Sequence, residues 1–243
     1  MSKYIHPLTS SDIRYRFDNL NERTTKPLTN LTIILDLDAT LISTMDPRFY
    51  NELTENLEDI GYLLGDDNVY NFELDGERII GVIRPDTVKF LNFCDRYFNK
   101  VIVYTAGAYD YGHAIVSEIF SKTEKQYMPD YVLTRPECLF LDDPIIPILG
   151  VRKPLALVIP DYDATKCLLL DDRISNIRFN PRNGIIIPPF NPTTVNEALS
   201  DKALDTLEKW FKLPKVKNID DVRNLEKMMI FSDLDNDLED DFF

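Results

Sequence analysis

Short apolar runs alternate with amphipathic segments along most of the chain. Four of the runs are rich in branched apolar residues and too short to form helices, which is typical of buried parallel strands. Residues 110–120 and the stretch that opens at Arg84-Pro85 have apolar residues at helical spacing. This alternation predicts an α/β domain with a mainly parallel central sheet. The four runs are LTIILD (31–36), KVIVYT (100–105), KCLLLDD (166–172) and GIIIP (184–188).

A hairpin and one further helix are predicted between the first two apolar runs. The segments VYNFEL and ERIIGVI flank the pair Asp75-Gly76, and an Asp-Gly pair between two strand-like runs is typical of a β-hairpin turn. Residues 51–64 place leucine and isoleucine on one helical face, and Gly65 marks the predicted end of that helix. We therefore interpret residues 45–83 as a small helix and hairpin insertion. Residues 127–160 have a mixed pattern that predicts no defined element.

The C-terminal part of the chain predicts helices followed by an acidic tail. Thr194 and Glu197 have the spacing of a capping box and predict the start of a helix. A last helix is predicted over residues 220–230. The apolar positions of the first of these helices are Val195, Leu199, Leu207 and Phe211. Along the chain we expect an N-terminal arm (1–30), the α/β domain (31–191), the C-terminal helices (192–232) and an acidic tail (233–243).

Composition and charge narrow the classes of function. Hydrophobic residues make up 44% of the 243 positions, which is enough for a sizeable core. The net charge of -14 disfavours general nucleic-acid binding, because phosphate backbones attract clustered Lys and Arg. Three cysteines are too few for a disulfide framework, and no signal-peptide core or apolar stretch of ~18 residues is present. We therefore expect a soluble intracellular protein of the cytoplasm or nucleus, without a membrane partner.

Polar residues stand at the carboxyl ends of three predicted strands. Asp36 and Asp38 follow the first strand, Thr105 ends the second, and Asp171-Asp172 end the third. In open α/β sheets, ligands bind in the crevice beyond these strand ends. Carboxylates that meet there repel one another unless a cation lies among them, and charged oxygen ligands suit Mg²⁺. Each residue alone would also fit an ordinary turn or strand end, but their combination favours a site.

Cys167 and Arg173 stand at the C-x5-R spacing of cysteine-dependent phosphatases. The intervening residues LLLDD offer no glycine for a loop that wraps a phosphate with backbone N–H groups. Two nearby carboxylates would also raise the pKa of the thiol and so disfavour the reactive thiolate. We therefore interpret Cys167 as a buried strand residue.

Six segments together resemble one family. IILDLDATLI resembles the D-x-D-x-[TV] motif of the haloacid dehalogenase (HAD) superfamily. Its closer likeness is to the FCP/SCP type, the phosphatases of the RNA polymerase II C-terminal domain, whose usual form is DLDETL. The resemblance covers about residues 31–190, with Ala39 in place of the usual Glu and Gly107 where Ser is common. The other matching segments are VIRPDTVKFL, VYTAGAYDYG, LTRPECLF, VRKPL and LLLDDRISNIRFNPRNGIII.

This resemblance implies a HAD-like Rossmannoid domain and a Mg²⁺-dependent phosphatase. Such an enzyme hydrolyses phosphate monoesters through an aspartyl-phosphate intermediate. Asp36 would be the nucleophile, and Asp38 would be the general acid and base. Thr105 and Lys153 would bind the phosphate.

The resemblance also implies the metal ligands and the substrate class. Asp172 would bond the metal directly, Asp38 would contribute its backbone carbonyl, and Asp171 would orient Lys153 or a metal-bound water. The implied substrate is a phosphoserine or phosphothreonine protein or peptide, with the RNA polymerase II C-terminal domain as one candidate. The residues implied to hold Mg²⁺ are Asp36, Asp38, Asp171 and Asp172.

Two other functions stay open at this point. The same superfamily chemistry could act on a small-molecule or nucleic-acid phosphate, because loops and caps over a common site decide the substrate. The fold could also serve as a non-catalytic protein-binding module, from which the motif aspartates are expected to be lost. Those aspartates are present in this sequence, which favours an enzyme.

Overall fold

The computed structural model describes residues 10–45, 68–74, 76–140 and 150–232, and five parallel strands form its central sheet. β1 (Thr32–Leu35) lies in the middle of this sheet. The other four strands are β5 (Lys100–Tyr104), β6 (Tyr131–Leu133), β9 (Cys167–Asp171) and β10 (Gly184–Ile186). The strand order is β10-β9-β1-β5-β6, and this sheet confirms the predicted α/β class with a parallel sheet.

Both faces of the sheet are covered by side chains. Ile33 and Leu35 of β1 belong to the larger hydrophobic core, whereas Ile34 between them belongs to a second core. Because successive residues of a strand point to opposite faces, the two cores lie on opposite sides of the sheet. This explains why the strand sequences are continuously apolar instead of alternating.

Helices pack on the sheet mainly where the sequence predicts them. The helix after Arg84-Pro85 and the helix near residues 110–120 are confirmed and contribute Phe90 and Ile119 to the larger core. The helices among the described residues are α1 (Ser10–Asp18), α2 (Thr87–Tyr97), α3 (Tyr109–Phe120), α4 (Leu155–Val158), α5 (Ile174–Ile177), α6 (Val195–Ser200), α7 (Ala203–Phe211) and α8 (Pro214–Lys217).

The N-terminal arm contains a helix that the sequence does not predict. α1 has few apolar residues and no clear period, so hydrophobic spacing could not reveal it. It lies against α3, where Arg16 Nη1 is 3.0 Å from Glu118 Oε2 and the ring of Phe17 packs edge-on against His113. Tertiary contacts therefore hold this helix in place.

The predicted hairpin is part of a second, antiparallel sheet. β3 (Val69–Leu74) pairs with β4 (Glu77–Ile83), and β4 pairs on its other side with β2 (Ile42–Met45), which the sequence does not predict. Gly76 has a φ of 79° at the turn, a conformation that glycine adopts without strain. Asp75 and the predicted helix at 51–64 lie outside the described residues.

Residues 127–160, for which the sequence predicts no defined element, contain several short elements. After β6, a 3₁₀ turn (Arg135–Glu137) leads to a two-stranded ribbon of β7 (Leu139–Phe140) and β8 (Val151–Arg152). Elements of two or three residues carry too few positions to show a hydrophobic period. This ribbon brings the chain back towards the central sheet just before Lys153.

Two helices replace the single helix predicted after the capping box. The N-cap is confirmed, because Thr194 Oγ1 accepts a hydrogen bond from the Glu197 N–H at 3.2 Å. The Glu197 carboxylate accepts from the Thr193 N–H at 2.6 Å, so the second bond of the predicted capping box goes to the residue before the N-cap. The chain leaves helical geometry at Asp201, whose carboxylate accepts a hydrogen bond from the Ala203 N–H at the start of α7. Leu199 is consequently exposed instead of lying in the core.

The helix predicted at residues 220–230 is wrong. The structure has only a 3₁₀ turn there, Val222–Asn224, followed by further turns through residue 231. The Val222 N–H donates to the Thr165 carbonyl at 2.9 Å, and Val222 and Ile230 are buried separately. Two separate turns thus bury Val222 and Ile230, and no helix is needed to bring these apolar residues into the core. Among the described residues, no helix is long and apolar enough to cross a membrane.

Candidate active site

The polar strand ends come together at one edge of the central sheet. Leu35 of β1 is in register with Val103 of β5 and Leu170 of β9. Because these three neighbouring strands run parallel, the residues that follow them emerge side by side. Asp36, Thr105 and the Asp171-Asp172 pair are therefore placed at the same edge, as the sequence predicts.

Lys153 links the first and third of these strand ends. Its Nζ lies 2.6 Å from Asp36 Oδ1 and 2.6 Å from Asp171 Oδ2, and its side chain is fully buried. The Asn180 side chain donates to the Lys153 carbonyl at 2.8 Å, and the Tyr104 ring lies under the ammonium at 5.5 Å. The structure therefore places Lys153 beside the predicted nucleophile.

The buried charges shift each other's pKa. Burial works against the charged form of Lys153, but the carboxylates of Asp171 and Asp36 outweigh it and raise the lysine pKa. Burial also raises the pKa of the Asp36 carboxyl, and the Lys153 ammonium opposes that rise. Additional positive charge at this site would thus favour the ionised form of Asp36.

Three carboxylates are arranged as a cation would require. Asp36, Asp171 and Asp172 each offer an oxygen, and these oxygens all lie within 4.8 Å of one another. Asp172 Oδ1 is buried and has no hydrogen-bond partner among the described residues. Burial, and then the charge of Asp171, raise the pKa of Asp172. A buried carboxylate oxygen without a partner and charged oxygen neighbours fit a hard cation such as Mg²⁺.

Asp171 and Asp172 differ in their surroundings. Asp171 accepts hydrogen bonds from the Arg173 N–H at 2.9 Å and from the Asn176 amide at 3.0 and 3.1 Å, besides its contact with Lys153. Its oxygens are therefore already engaged by the protein, whereas no described residue forms a hydrogen bond with Asp172 Oδ1. This difference matches the implied division in which Asp172 bonds the metal and Asp171 orients Lys153.

Asp38 lies in a turn and is not one of the three carboxylates of the carboxylate cluster, which are Asp36, Asp171 and Asp172. Asp38 Oδ1 accepts hydrogen bonds from Tyr111 Oη at 2.5 Å and from Thr44 Oγ1 at 3.1 Å. The next residue, Ala39, has a φ of 58°, and its N–H donates to the Ile42 carbonyl at 2.8 Å. Asp38 therefore lies beside a tight backbone turn, and its carboxylate is bonded to the hydroxyl groups of Thr44 and Tyr111.

Thr105 is buried at the end of β5. Its Oγ1 accepts a hydrogen bond from the Gly107 N–H at 3.0 Å, and its own N–H donates to the Leu133 carbonyl at 2.9 Å. These bonds fix the loop between β5 and α3. A threonine hydroxyl in such a loop can still donate its proton to a phosphoryl oxygen.

Several residues at the site are not found by sequence reasoning. Thr44 and Tyr70 contact the Asp38 region from the antiparallel sheet, and their placement depends on how that sheet packs. Tyr111 and Asn176 lie within segments that resemble the family, but the resemblance assigns no role to either residue. Tyr111 follows Thr105 by six residues and Asn176 follows Asp171 by five, and this nearness to predicted site residues is the signal by which the sequence could have indicated them.

Cys167 takes no part in this site. It is buried at the first position of β9, whereas Asp171 is the last residue of that strand and Asp172 follows it. Burial raises the pKa of the Cys167 thiol, which disfavours a nucleophilic thiolate. Arg173 is exposed. The C-x5-R spacing is therefore spread along a strand and does not surround a phosphate.

Comparison with known proteins finds one matching family and similar solved structures. The family model for NLI interacting factor-like phosphatases matches residues 31–223. Two similar solved structures are Fcp1, described as an essential RNA polymerase II CTD phosphatase, and a variant of fission yeast Fcp1 bound to beryllium fluoride. Both are 19% identical and cover 95% of this chain, with TM-scores of 0.46 and 0.45. The chain covers only 63% and 58% of those two structures, and no curated protein matches it.

Proposed function

The chain belongs to the NLI interacting factor-like phosphatase family, and from this premise we propose that it is a Mg²⁺-dependent phosphatase with Asp36 as its nucleophile. The observation that carries the proposal is the buried contact of Lys153 with both Asp36 and Asp171. A fully buried ammonium between carboxylates is costly in a merely structural role. It is useful where negative charge must be gathered and neutralised for phosphoryl transfer.

The residues of the chain divide the reaction into two steps. Asp36 forms a bond to phosphorus while the bond from phosphorus to the leaving oxygen breaks, and Asp38 gives that oxygen a proton. In the second step, Asp38 takes a proton from water as the water oxygen attacks the aspartyl-phosphate. Inorganic phosphate leaves, and both aspartates return to their starting forms. Lys153 and Thr105 compensate and orient the charge of the phosphoryl oxygens.

The carboxylate cluster would hold the metal ion. Asp36 and Asp172 would bind it through their side chains, Asp38 would bind it through its backbone carbonyl, and Asp171 would orient its neighbours. When bound, Mg²⁺ supplies positive charge between the carboxylates and the phosphoryl group. The buried Asp172 Oδ1, which has no hydrogen-bond partner in the part of the chain that the structure describes, supports this assignment.

We propose phosphoserine or phosphothreonine peptides as the substrate. The described strands of the insertion, β3 and β4, form a small three-stranded sheet with β2, and a small cover of this kind suits an active site open to an extended chain. The RNA polymerase II C-terminal domain is one candidate, since the similar Fcp1 structures are described as phosphatases of that domain. A small-molecule or nucleic-acid phosphate is the alternative, although the net charge of -14 disfavours nucleic acid.

Hydrolysis by the purified protein tests the proposed function. We expect turnover of p-nitrophenyl phosphate and of a phosphoserine peptide with Mg²⁺, and loss of that turnover in EDTA that returns on adding Mg²⁺. A sugar phosphate in the same assay tests the substrate class, and we expect the peptide to be the better substrate. A folded, Mg²⁺-loaded protein that hydrolyses none of these would contradict the enzyme and favour a binding module.

Asp172→Asn should weaken Mg²⁺ binding and so test the metal site independently of the other active-site residues. We expect the Mg²⁺ concentration for half-maximal activity to rise at least ~10-fold, by comparison with other disturbed metal sites. Saturating Mg²⁺ raises the melting temperature of a protein that binds it, and this stabilisation should shrink in the variant. Calorimetry with and without Mg²⁺ measures that second effect without relying on activity.

Asp161→Asn is the matched control for this prediction, because it makes the same chemical change at an exposed position. Asp161 has a φ of 53°, which asparagine tolerates. The control should keep the wild-type response to Mg²⁺. An unchanged Mg²⁺ dependence and unchanged Mg²⁺ stabilisation in Asp172→Asn would remove Asp172 from the metal site.

A further inference from the structure

Two hydroxyl groups contact the Asp38 carboxylate and a third contacts one of these two, and none of the three has a part in the two-step phosphatase mechanism. Thr44 Oγ1 and Tyr111 Oη both lie within hydrogen-bond distance of Asp38 Oδ1, and they also contact each other at 2.5 Å. Tyr70 Oη lies 2.7 Å from Thr44 Oγ1. We call Thr44, Tyr70 and Tyr111 the hydroxyl cluster.

The hydroxyl cluster joins three elements around one carboxylate. Thr44 comes from β2, Tyr70 from β3, and Tyr111 from α3, the helix that follows the Thr105 loop. The antiparallel sheet of β2, β3 and β4 and the helix that follows the Thr105 loop therefore both contact Asp38 or its hydrogen-bond partners. Burial raises the pKa of both tyrosine hydroxyls, so they keep their protons and remain donors.

Gly107 allows the ring of Tyr111 to approach this position. A Cβ at Gly107 would lie 2.6 Å from Tyr111 Cδ1 and 3.3 Å from Thr105 Oγ1. Carbon atoms do not approach this closely without displacing one of the two groups. The glycine that stands where Ser is common in the family therefore leaves room for the tyrosine beside Asp38.

The hydrogen bonds from Thr44 and Tyr111 end on the same oxygen of Asp38. They restrict rotation of the carboxyl group through Oδ1, and neither of these two bonds engages Oδ2. A general acid is effective only when its proton points at the leaving oxygen, so the direction of Oδ2 matters. Asp38 precedes Ala39, whose backbone is left-handed, and no other described side chain sets the direction of the Asp38 carboxyl group.

We propose that Tyr111 and Thr44 are positioning residues that hold Asp38 as the general acid for the leaving oxygen. This inference rests on the proposed function, because it assigns partners to a residue of that mechanism. In the step concerned, the O–P bond to Asp36 forms, the bond from phosphorus to the leaving oxygen breaks, and the proton on Asp38 Oδ2 moves to that oxygen. The hydroxyl cluster itself neither gains nor loses a proton.

The dependence of kcat/KM on the leaving group tests this inference. p-Nitrophenolate is a weak base that departs without a proton, whereas phenolate and the alkoxide of serine are stronger bases that need one. We expect Tyr111→Phe to lower kcat/KM about 10- to 100-fold for phenyl phosphate and a phosphoserine peptide, and less than ~3-fold for p-nitrophenyl phosphate. The ratio kcat/KM excludes the later attack by water, so it reports the step in which the leaving oxygen is protonated.

A matched control lies on the same helix. Tyr109 is exposed and its ring stacks on His113, so Tyr109→Phe removes a hydroxyl from α3 without touching the hydroxyl cluster. The control should leave both classes of substrate unaffected. Thermal unfolding of each variant shows whether the fold is retained.

Substitutions at Thr44 provide a second test with internal rescue. Thr44→Val removes the hydroxyl at nearly constant shape and should show the same dependence on the leaving group as Tyr111→Phe. Thr44→Ser retains the hydroxyl and should restore most of the activity towards phenyl phosphate. A serine variant as defective as the valine variant would overturn the role of the Thr44 hydroxyl.

The outcomes distinguish this inference from the proposed function. An equal loss on all substrates in Tyr111→Phe, or no loss on any, would overturn the positioning role while the phosphatase stands. A wild type that hydrolyses none of the substrates would overturn the proposed function, and the positioning role with it. A loss confined to phenyl phosphate and the peptide supports both.

Discussion

Asp36→Asn is expected to lower kcat on p-nitrophenyl phosphate by at least ~10³-fold, as removal of a catalytic nucleophile does in other enzymes. An amide cannot form the covalent intermediate, whatever the quality of the leaving group. The good leaving group in this assay matters, because it separates the loss of a nucleophile from the loss of a general acid. The measurement is steady-state hydrolysis at saturating Mg²⁺ beside the wild type.

The fold of Asp36→Asn should survive this change. The amide oxygen can still accept a hydrogen bond from Lys153, which also keeps Asp171 as its ionic partner. Burial raises the pKa of Asp36 although the Lys153 ammonium opposes that rise, and the charge of Asp171 adds to it, so a neutral side chain is tolerated at this buried position. We therefore expect an unfolding midpoint close to that of the wild type when no Mg²⁺ is added.

Asp36→Glu serves as the charge-conserving comparison. It retains a carboxylate but moves it by one methylene within a buried site, and a displacement of about 1 Å costs roughly 10²-fold in rate. A large loss in both variants assigns the effect to the position of the carboxylate. If Asp36→Asn kept more than a tenth of the wild-type rate, Asp36 would not be the nucleophile.

The strand ends were predictable from the sequence because their placement follows from sheet geometry. Once LTIIL, KVIVY and KCLLL form adjacent parallel strands, Asp36, Thr105 and the Asp171-Asp172 pair have to emerge at one edge. Only the alternation of apolar runs and helices is needed for that step. The same reasoning could not place Lys153, which reaches the site from the short ribbon of β7 and β8.

The hydrophobic pattern of the sequence cannot predict contacts that depend on tertiary packing. Tyr70 lies 26 positions from its partner Thr44, and Tyr111 lies 73 positions from Asp38. Their meeting depends on how the antiparallel sheet and α3 pack, which hydrophobic spacing does not encode. The break between α6 and α7 has the same origin, because a long-range partner holds Asp201 outside helical geometry.

Arg84 is the long-range partner of Asp201, and we expect its replacement to lower the free energy of unfolding more than the other substitutions discussed. Arg84 is fully buried, and its Nε and Nη2 lie 2.8 and 2.7 Å from the two carboxylate oxygens of Asp201. It also donates to the Thr40 carbonyl at 3.0 Å and to the Pro188 carbonyl at 2.9 Å. One guanidinium thus ties the turn after Asp38 to the C-terminal segment.

Arg84→Met should destabilise the protein by about 3–5 kcal/mol, because it leaves the Asp201 carboxylate without its buried partner. For a protein of this size, that loss corresponds to a fall of roughly 6–20 °C in melting temperature. Arg96→Met is the matched control, since Arg96 and Glu124 form an exposed pair 3.1 Å apart. An exposed pair contributes about 0–1 kcal/mol, so the control should melt close to the wild type.

A double variant separates the ion pair from the loss of packing. Replacing both partners by apolar residues is less harmful than stranding one charge, so Arg84→Met with Asp201→Leu should be more stable than Arg84→Met alone. Recovery will be incomplete, because the Thr40 and Pro188 carbonyls lose their donor and Ala203 loses its cap. Additive destabilisation in the double variant would instead mean that Arg84 acts through these carbonyls. Chemical denaturation of the four proteins in the cycle decides between the two.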